Sequence, residues 1–556
     1  MASALKYLPL DNLGINGLNT QDKPTSINTG WLTKANNVIL EEAGTIGPRK
    51  GLKQLVKPTT AKVGAIGELG TAIFASVGAT IIKVDFSDAD ALVSPDSADV
   101  KTITGASSDW QFIEFNTKLY ALQYGEDPMA YDDSLATPAW VTQDNSKRPA
   151  SVSSGNFQPS CGMGYYGRLW VGGLSGQKDV LYYSDTLIGD EWRPEGADGI
   201  LDTGDDTAAG YLDLKKVWGT DEIIAIAPFY GKLVIFGTNN IAIYRNPTDP
   251  NGTDFGLDEV IRGVGCVSRD SVVAVADDLI FLSSTGVKSL LRTSEKDKMP
   301  LTELSAVIQN TIIRDIRASS NVKAVYMADE GFFLMSFVDL NNTYVFDLKQ
   351  ITEKRTPRVT TWSFDSDREP SCLAYTKTRG FLAGQQTGSI ASYEGYSDKV
   401  MTASNAHTPN KYEINYTSSW IEVSEGVATT LLKNLKLVFN NGLDSTVSIN
   451  LFKDFGVTAY KSYSLDLKPT SSGTPSYFGV AEFACNSTCE TLNAAADPVI
   501  VTPPTDEYAP VYGLKEYSVP LSGSVKHLTL GFGTFINGNG VSLQDSTLLF
   551  KQGKIR

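Results

Sequence analysis

Between residues 63 and 400 the chain repeats one pattern of polar and apolar positions. A turn bearing glycine, asparagine or aspartate is followed by a short apolar run, a second turn and a second apolar run. The stretches "YYGRLWVGGLSGQKDVLYYSD" (165–185) and "FYGKLVIFGTNNIAIYRN" (229–246) carry it, and five more copies align with them. The first runs place Ile73, Leu119, Leu169, Leu233, Leu279, Phe332 and Phe381 at one position, with gaps of 46, 50, 64, 46, 53 and 49 residues. The runs are rich in Val, Ile, Phe and Tyr and bounded by turn formers, which predicts strands joined by hairpins. A period near 50 residues with about four strands per unit predicts an all-β fold built on a β-propeller of six or seven blades. The long gap holds "GDEWRPEGADGILDTGDDTAAGYLD", an acidic, Gly-rich insertion expected to form a loop on one blade.

Two regions break the repeat. "TELSAVIQNTIIRDIRA" (302–318) sets Leu304, Ile308, Ile312 and Ile316 four residues apart with Val307 beside them, predicting an amphipathic helix used as a lid or a subunit contact. After residue 400 a polar linker leads to a second β pattern, alternating through Leu435, Leu437 and Phe439 and again through Val447, Ile449 and Leu451. With "NNGLDS" between them these read as one hairpin, part of a β-sandwich at 401–556 from which a Pro-rich loop, 486–510, projects. The polar segment 1–62 is expected to pack with this C-terminal region as one platform, leaving 63–400 as the propeller.

Composition narrows the function. The 556 residues carry 48 Lys and Arg against 63 Asp and Glu, a formal charge of −15, which is the wrong sign for gripping phosphate backbones. No apolar stretch approaches a membrane span, and "MASALKYLPLDN" is too polar for a signal peptide, so folding in a cytoplasm is expected. Cys161, Cys266, Cys372, Cys485 and Cys489 are odd in number and scattered; only "CNSTC" brings two close. Free thiols are the expectation, with a local disulfide between Cys485 and Cys489 as the alternative. His407 and His527 are the only histidines, which weakens both a zinc site and acid–base catalysis. In "DGILDTGDD", Asp198, Asp202, Asp205 and Asp206 offer hard oxygen ligands, but without EF-hand spacing, so a solvated loop is preferred over a calcium site. No catalytic, cofactor or metal residue is assigned.

The first sixty residues bring a family into view. "GINGLNTQDKPTSINTGWLTKANNVILEEAGTIGPRKGLKQL" resembles the N-terminal phrase of the tail tube, nozzle or hub proteins of short-tailed bacteriophages. The matching positions are Asn37 and Val38, then Gly44 and Ile46, then Arg49 and Gly51. "LYYSDTLIGDEW" and the region from Trp420 to Phe455 are similar to other elements of that family. The resemblance implies a structural virion protein forming a homo-oligomeric ring, a homohexamer, below the head-to-tail adaptor. Tail fibres or spikes would attach to it, and genomic DNA would pass through without specific binding. Six copies at −15 would carry −90, which suits a duct that must not hold phosphate.

Two other readings compete. A propeller also suits a receptor-binding or host-attachment virion protein, since loops on a rigid scaffold make recognition surfaces. A propeller glycosidase would need two carboxylates set across a sugar. "YYSDTLIGDEW" only loosely matches an Asp-box turn, and no Arg cluster accompanies it.

Overall fold

The computed structural model describes residues 5–552 except 11, 25, 42–43, 59, 87–100, 104–108, 150, 153–154, 197–206, 292–302, 367, 403–406, 424–429, 441–445, 468–513 and 539. The chain is all-β, and its central feature is a ring of antiparallel sheets. The innermost strands are Val63–Leu69, Gln111–Phe115, Cys161–Tyr165, Ile223–Phe229, Val273–Val275, Val322–Met327 and Pro370–Thr376. Each lies against the next, the fourth meeting the fifth unit at the turn Arg269–Ser271 that leads into Val273–Val275, and the last returns to the first, so the propeller is closed. Among the described residues six of the units are four-stranded blades and the fifth, Val273–Val275, Asp278–Ser283 and Gly286–Ser289, has three strands.

The repeat position read from sequence falls in the second strand of every unit. Ile73, Leu119, Leu169, Leu233, Leu279, Phe332 and Phe381 are all buried there. Each blade is apolar on both faces because it is sandwiched between two neighbours, and the buried residues divide into clusters at the interfaces. Phe74, Trp110, Leu119 and Trp140 fill the one between the first and second blades; Phe236, Ile241, Leu279 and Phe281 fill the one between the fourth and fifth. Tight hairpins set the register. Tyr166 and Gly167 (φ 46° and 69°), and Tyr230 and Gly231 (φ 46° and 73°), put both central residues in the left-handed region, as a two-residue turn matched to strand twist requires.

The seventh blade is completed from the other end of the chain. Leu52–Val56 pairs antiparallel with Ile390–Tyr393, Val56 opposite Ile390 and Leu52 opposite Tyr393. Segment 1–62 is therefore divided: its earlier strands join the C-terminal region, while this one closes the ring. Such a closure replaces an exposed edge with a ladder that opens only if the termini separate.

The C-terminal region is a sandwich of two sheets. In one, Thr430–Asn440 lies between Ser542–Gln552 and Leu514–Pro520, and Leu5–Pro9 pairs with Ser542–Gln552. In the other, Trp31–Asn36, Tyr412–Ser418, His527–Ile536, Thr446–Lys453 and Lys461–Asp466 follow in order. The expected hairpin is thus overturned: Thr430–Asn440 and Thr446–Lys453 sit in opposite sheets. Leu435, Leu437 and Phe439 pack in one buried cluster with Val447, Ile449 and Leu451. Alternation specified which face is buried, but it does not specify the hydrogen-bonding partner.

Propeller and sandwich share a sheet. Pro357–Trp362, the outer strand of the sixth blade, pairs with Gly17–Leu18 and touches Trp31–Asn36, so one eleven-stranded sheet runs from the blade into the sandwich. At Gly17 (φ +82°) an added Cβ would stand 2.7 Å from the Val359 carbonyl oxygen, so this junction requires glycine. The helix runs over Gln309–Ala318 after a 3-10 turn at Ala306–Ile308. Leu304, Val307, Ile308 and Ile312 enter the core shared by the fifth and sixth blades and the sandwich. Its apolar face is used within the chain: the Val307 carbonyl accepts from Thr20 and Gln21 N–H.

Candidate functional site

Two polar centres stand out. The first is built from the family-like phrase. Arg49 and Asp398 form a bidentate pair at 2.9 and 3.0 Å, the guanidinium fully buried. Arg49 Nε donates to Asn37 Oδ1 at 3.1 Å and Nη1 to the Lys50 carbonyl at 2.8 Å. The Phe364 and Tyr412 rings lie 4.5 and 4.1 Å from its guanidinium carbon, and the Tyr412 hydroxyl donates to the Arg49 carbonyl. Asn37, at φ 58°, also accepts from Ser363 N–H and donates to the Glu413 carbonyl. Gly51 admits no side chain, because a Cβ would fall 2.0 Å from the Ser397 carbonyl oxygen. The cluster thus ties the N-terminal segment, the closing strand and the sandwich together; its chemistry is structural.

The second centre lies where the inner strands of the propeller begin. Arg269 and Asp270 precede the fifth blade, Lys323 starts the sixth, and Asp109 precedes the second. Arg269 Nε and Nη2 reach Asp270 at 2.7 and 3.0 Å, and Nη1 donates to the Ser160 carbonyl at 2.8 Å. Lys323 Nζ bridges Asp270 and Asp109, both at 2.5 Å. These contacts link distant blades across the ring. Burial opposes charge on Asp270, but the adjacent Arg269 and Lys323 cations outweigh it and hold its carboxyl below the usual range. Burial likewise disfavours the charged Lys323, and Asp270 and Asp109 more than offset it, so its value is raised.

A cavity of about 470 Å³ opens beside this cluster. Asp109, Gln123, Tyr124, Lys178, Glu222 and Arg269 are among its lining residues. Lys178 and Glu222 pair at 2.8 Å. Gln123 is buried, and its Oε1 meets no hydrogen-bond donor. Nothing in the sequence singled out these residues: they are lone polar positions from four widely separated stretches.

The residues weighed from sequence are elsewhere. Asp198, Asp202, Asp205 and Asp206, the loop 486–510, and Cys485 and Cys489 lie outside the described residues. Cys161, Cys266 and Cys372 are buried free thiols. His407 Nε2 is 2.8 Å from the Gln54 carbonyl, and the His527 ring lies 4.5 Å from that of Phe455. Among the described residues no group of three or more His, Cys, Asp or Glu is arranged to hold a metal, and no helix is long and apolar enough to cross a membrane.

No family model and no curated protein matches the chain. Solved structures similar to it include the β-propeller domain of Myceliophteria thermophila Cps50 (Swd1), at 10% identity and TM-score 0.38, covering 61% of this chain and 98% of that one. The extracellular domain of the putative one component system BT4673 from B. thetaiotaomicron matches at 12% identity and TM-score 0.38, over 82% of this chain and 62% of that one. BBS1N, solved in complex with ARL6DN, matches at 8% and 0.37, over 62% and 96%. The propeller assignment stands on the strand pairing, and these scores carry nothing further.

Proposed function

We propose that this chain is a non-enzymatic structural protein of a short phage tail, the ring-forming nozzle or hub that extends the DNA ejection channel below the adaptor. The observation that carries this reading is the junction around Arg49. The residues of the nozzle-like phrase, Asn37, Arg49 and Gly51, are the ones that fasten propeller and sandwich into a single piece. A part through which a genome is driven benefits from such rigidity, and a buried bidentate ion pair fixes geometry more firmly than an apolar contact. The −15 charge supports the same reading, since an acidic wall repels phosphate. The propeller's own mouth is crossed by the Asp109–Lys323–Asp270 bridge, so in this reading DNA runs between copies around the ring axis.

Cryo-electron microscopy of assembled tails tests the proposal. Six identical copies around a duplex-wide channel lined by Asp and Glu are expected. Three peripheral copies projecting outward would overturn it in favour of host attachment. Isolated protein should also bind duplex weakly, and micromolar binding at about 150 mM salt would count against an acidic duct.

A further inference from the structure

We propose that the exposed turns of the third and fourth blades are a docking surface for a second copy of this chain, and that they receive the outer face of that copy's sandwich sheet built on Thr430–Asn440. The inference concerns which two surfaces meet, and it does not depend on the tail assignment.

The first observation is an apolar patch. Tyr166, Leu187 and Tyr230 are 47, 56 and 59% exposed. They are neighbours: the Leu187 N–H donates to the Gly167 carbonyl at 2.7 Å, and a Cβ added at Gly231 would lie 3.5 Å from the Tyr166 hydroxyl. The inner strands Cys161–Tyr165 and Ile223–Phe229 end here, whereas the Arg269, Asp270 and Lys323 cluster sits where inner strands begin, so the patch lies on the propeller face opposite the cavity. The second observation is the backbone beneath it. Tyr166, Leu187 and Tyr230 have φ of 46°, 59° and 46°, a left-handed conformation that asparagine and glycine take readily and bulky side chains take at a cost. Neither the turns nor the core call for tyrosine or leucine at these exposed tips. A contact made outside the chain does, and exposed tyrosines are common anchors of such contacts.

The third observation is a matching face. On the outer side of the sandwich sheet Leu5 and Leu431 flank Lys551 in one row, and Tyr7 stands two residues on, opposite Leu549. Leu5, Tyr7 and Leu431 are 39, 62 and 45% exposed, and Lys433, also exposed, follows on the same strand. The fourth is charge. Residues 63–400 hold 46 Asp and Glu against 29 Lys and Arg, a net −17, whereas the rest of the chain holds 17 against 19, a net +2. Asp277 occupies the equivalent turn of the fifth blade, between the paired Val275 and Asp278. Propeller against propeller would oppose like charges, and sandwich against sandwich would bring lysines together; propeller against sandwich is the complementary combination. Position agrees. The sandwich is joined to the sixth and seventh blades, three places around the ring from the third and fourth, so the two faces lie far apart on one chain and their contact is head-to-tail between copies.

Sedimentation equilibrium of the full chain over about 1–100 µM tests this, with reversible association expected. Tyr166→Asn/Tyr230→Asn, which alters the patch, and Leu431→Ser/Lys433→Glu, which alters the sheet, are each expected to weaken association at least about tenfold. The patch variant should melt no lower than the parent, because asparagine suits both turns, and the sheet variant should melt near it, because both changed side chains are exposed. Mixed in equal amounts, the two variants should form a dimer of parent affinity and nothing larger, since each supplies the face that the other lacks. A parent that stays monomeric, parent-like association in either variant, or a mixture that does not pair would overturn the proposal. A ring in assembled tails held through other surfaces would also overturn it while leaving the tail assignment standing, whereas complementation by a protein found outside tails would support it and remove that assignment alone.

Discussion

Arg49 and Asp398, 349 positions apart, meet as a bidentate ion pair with both side chains no more than 1% exposed. Asp398 Oδ1 also accepts from Leu52 N–H at 2.9 Å, at the first residue of the strand that closes the propeller. The pair therefore connects ring closure to the sandwich. Arg49→Met should destabilise the chain by about 3–5 kcal/mol, because it leaves the Asp398 carboxylate buried without its cation. The double variant Arg49→Met/Asp398→Asn should recover part of that loss. Denaturant unfolding of the parent, Arg49→Met and the double variant checks it, and a double variant no more stable than Arg49→Met would contradict it.

Two glycines separate steric need from open space. At Gly51 a Cβ would meet backbone, 2.0 Å from the Ser397 oxygen, and backbone cannot step aside cheaply. At Gly533, in the sandwich, the nearest atom to an added Cβ is the Ile414 oxygen at 3.8 Å, an ordinary contact. Gly51→Ala should lower the melting temperature by several degrees, a loss of about 1–3 kcal/mol. Gly533→Ala should change it little. Equal shifts in the two variants would show that the close approach at Gly51 relaxes without cost.

The sequence announced the blades because each repeats one short pattern whose buried position must recur, and Ile73 through Phe381 occupy equivalent places for that reason. It did not announce how the ring closes. Leu52–Val56 is five residues long, and its pattern would fit any open edge; its partner, Ile390–Tyr393, is over 300 positions away. The assignment of Thr430–Asn440 and Thr446–Lys453 failed in a related way, since alternation marks a buried face and both a hairpin and an arch satisfy it. The mouth of the propeller was illegible for another reason. Asp109, Gln123, Arg269, Asp270 and Lys323 become a site only when the ring brings separate blades together, and each alone looks like an ordinary polar turn or strand residue. Asn37, Arg49 and Gly51 were noticed only as a likeness, and their role followed from where they meet.

Three thiols should be silent in the native protein. Cys161, Cys266 and Cys372 are buried, and burial pushes their values to about 12, 11 and 12, so almost no thiolate forms near neutrality. A thiol-specific chromogenic reagent at pH 8 should leave all three unmodified until denaturant is added, as peptide mapping would show. Labelling of Cys266 before global unfolding would mean that the fifth, three-stranded unit opens on its own.

Acid should weaken the propeller's mouth in a way that depends on Asp270. Burial raises its value, but Arg269 and Lys323 lower it more, leaving the folded value below the ordinary carboxylate value of about 3.9. A group depressed on folding contributes stability above its unfolded value, and loses it as pH falls from there toward the folded value. Protonated Asp270 resembles asparagine in shape and charge. Asp270→Asn should therefore be less stable than the parent at pH 7, where Arg269 and Lys323 would share only Asp109, and the gap should narrow progressively below about pH 4. The alkaline side has the opposite sign: Lys323 is raised on folding, so its contribution persists through neutrality and declines only as pH climbs past its ordinary value of about 10.4. Denaturant unfolding of parent and Asp270→Asn at pH 7, 5, 4 and 3 supplies the measurement. Other carboxylates, Asp22 and Asp132 among them, are also lowered and will steepen the acid limb of both proteins equally. The difference between the two curves isolates Asp270, and a gap that stays constant from pH 7 to pH 3 would mean that its charge adds nothing to holding the blades together.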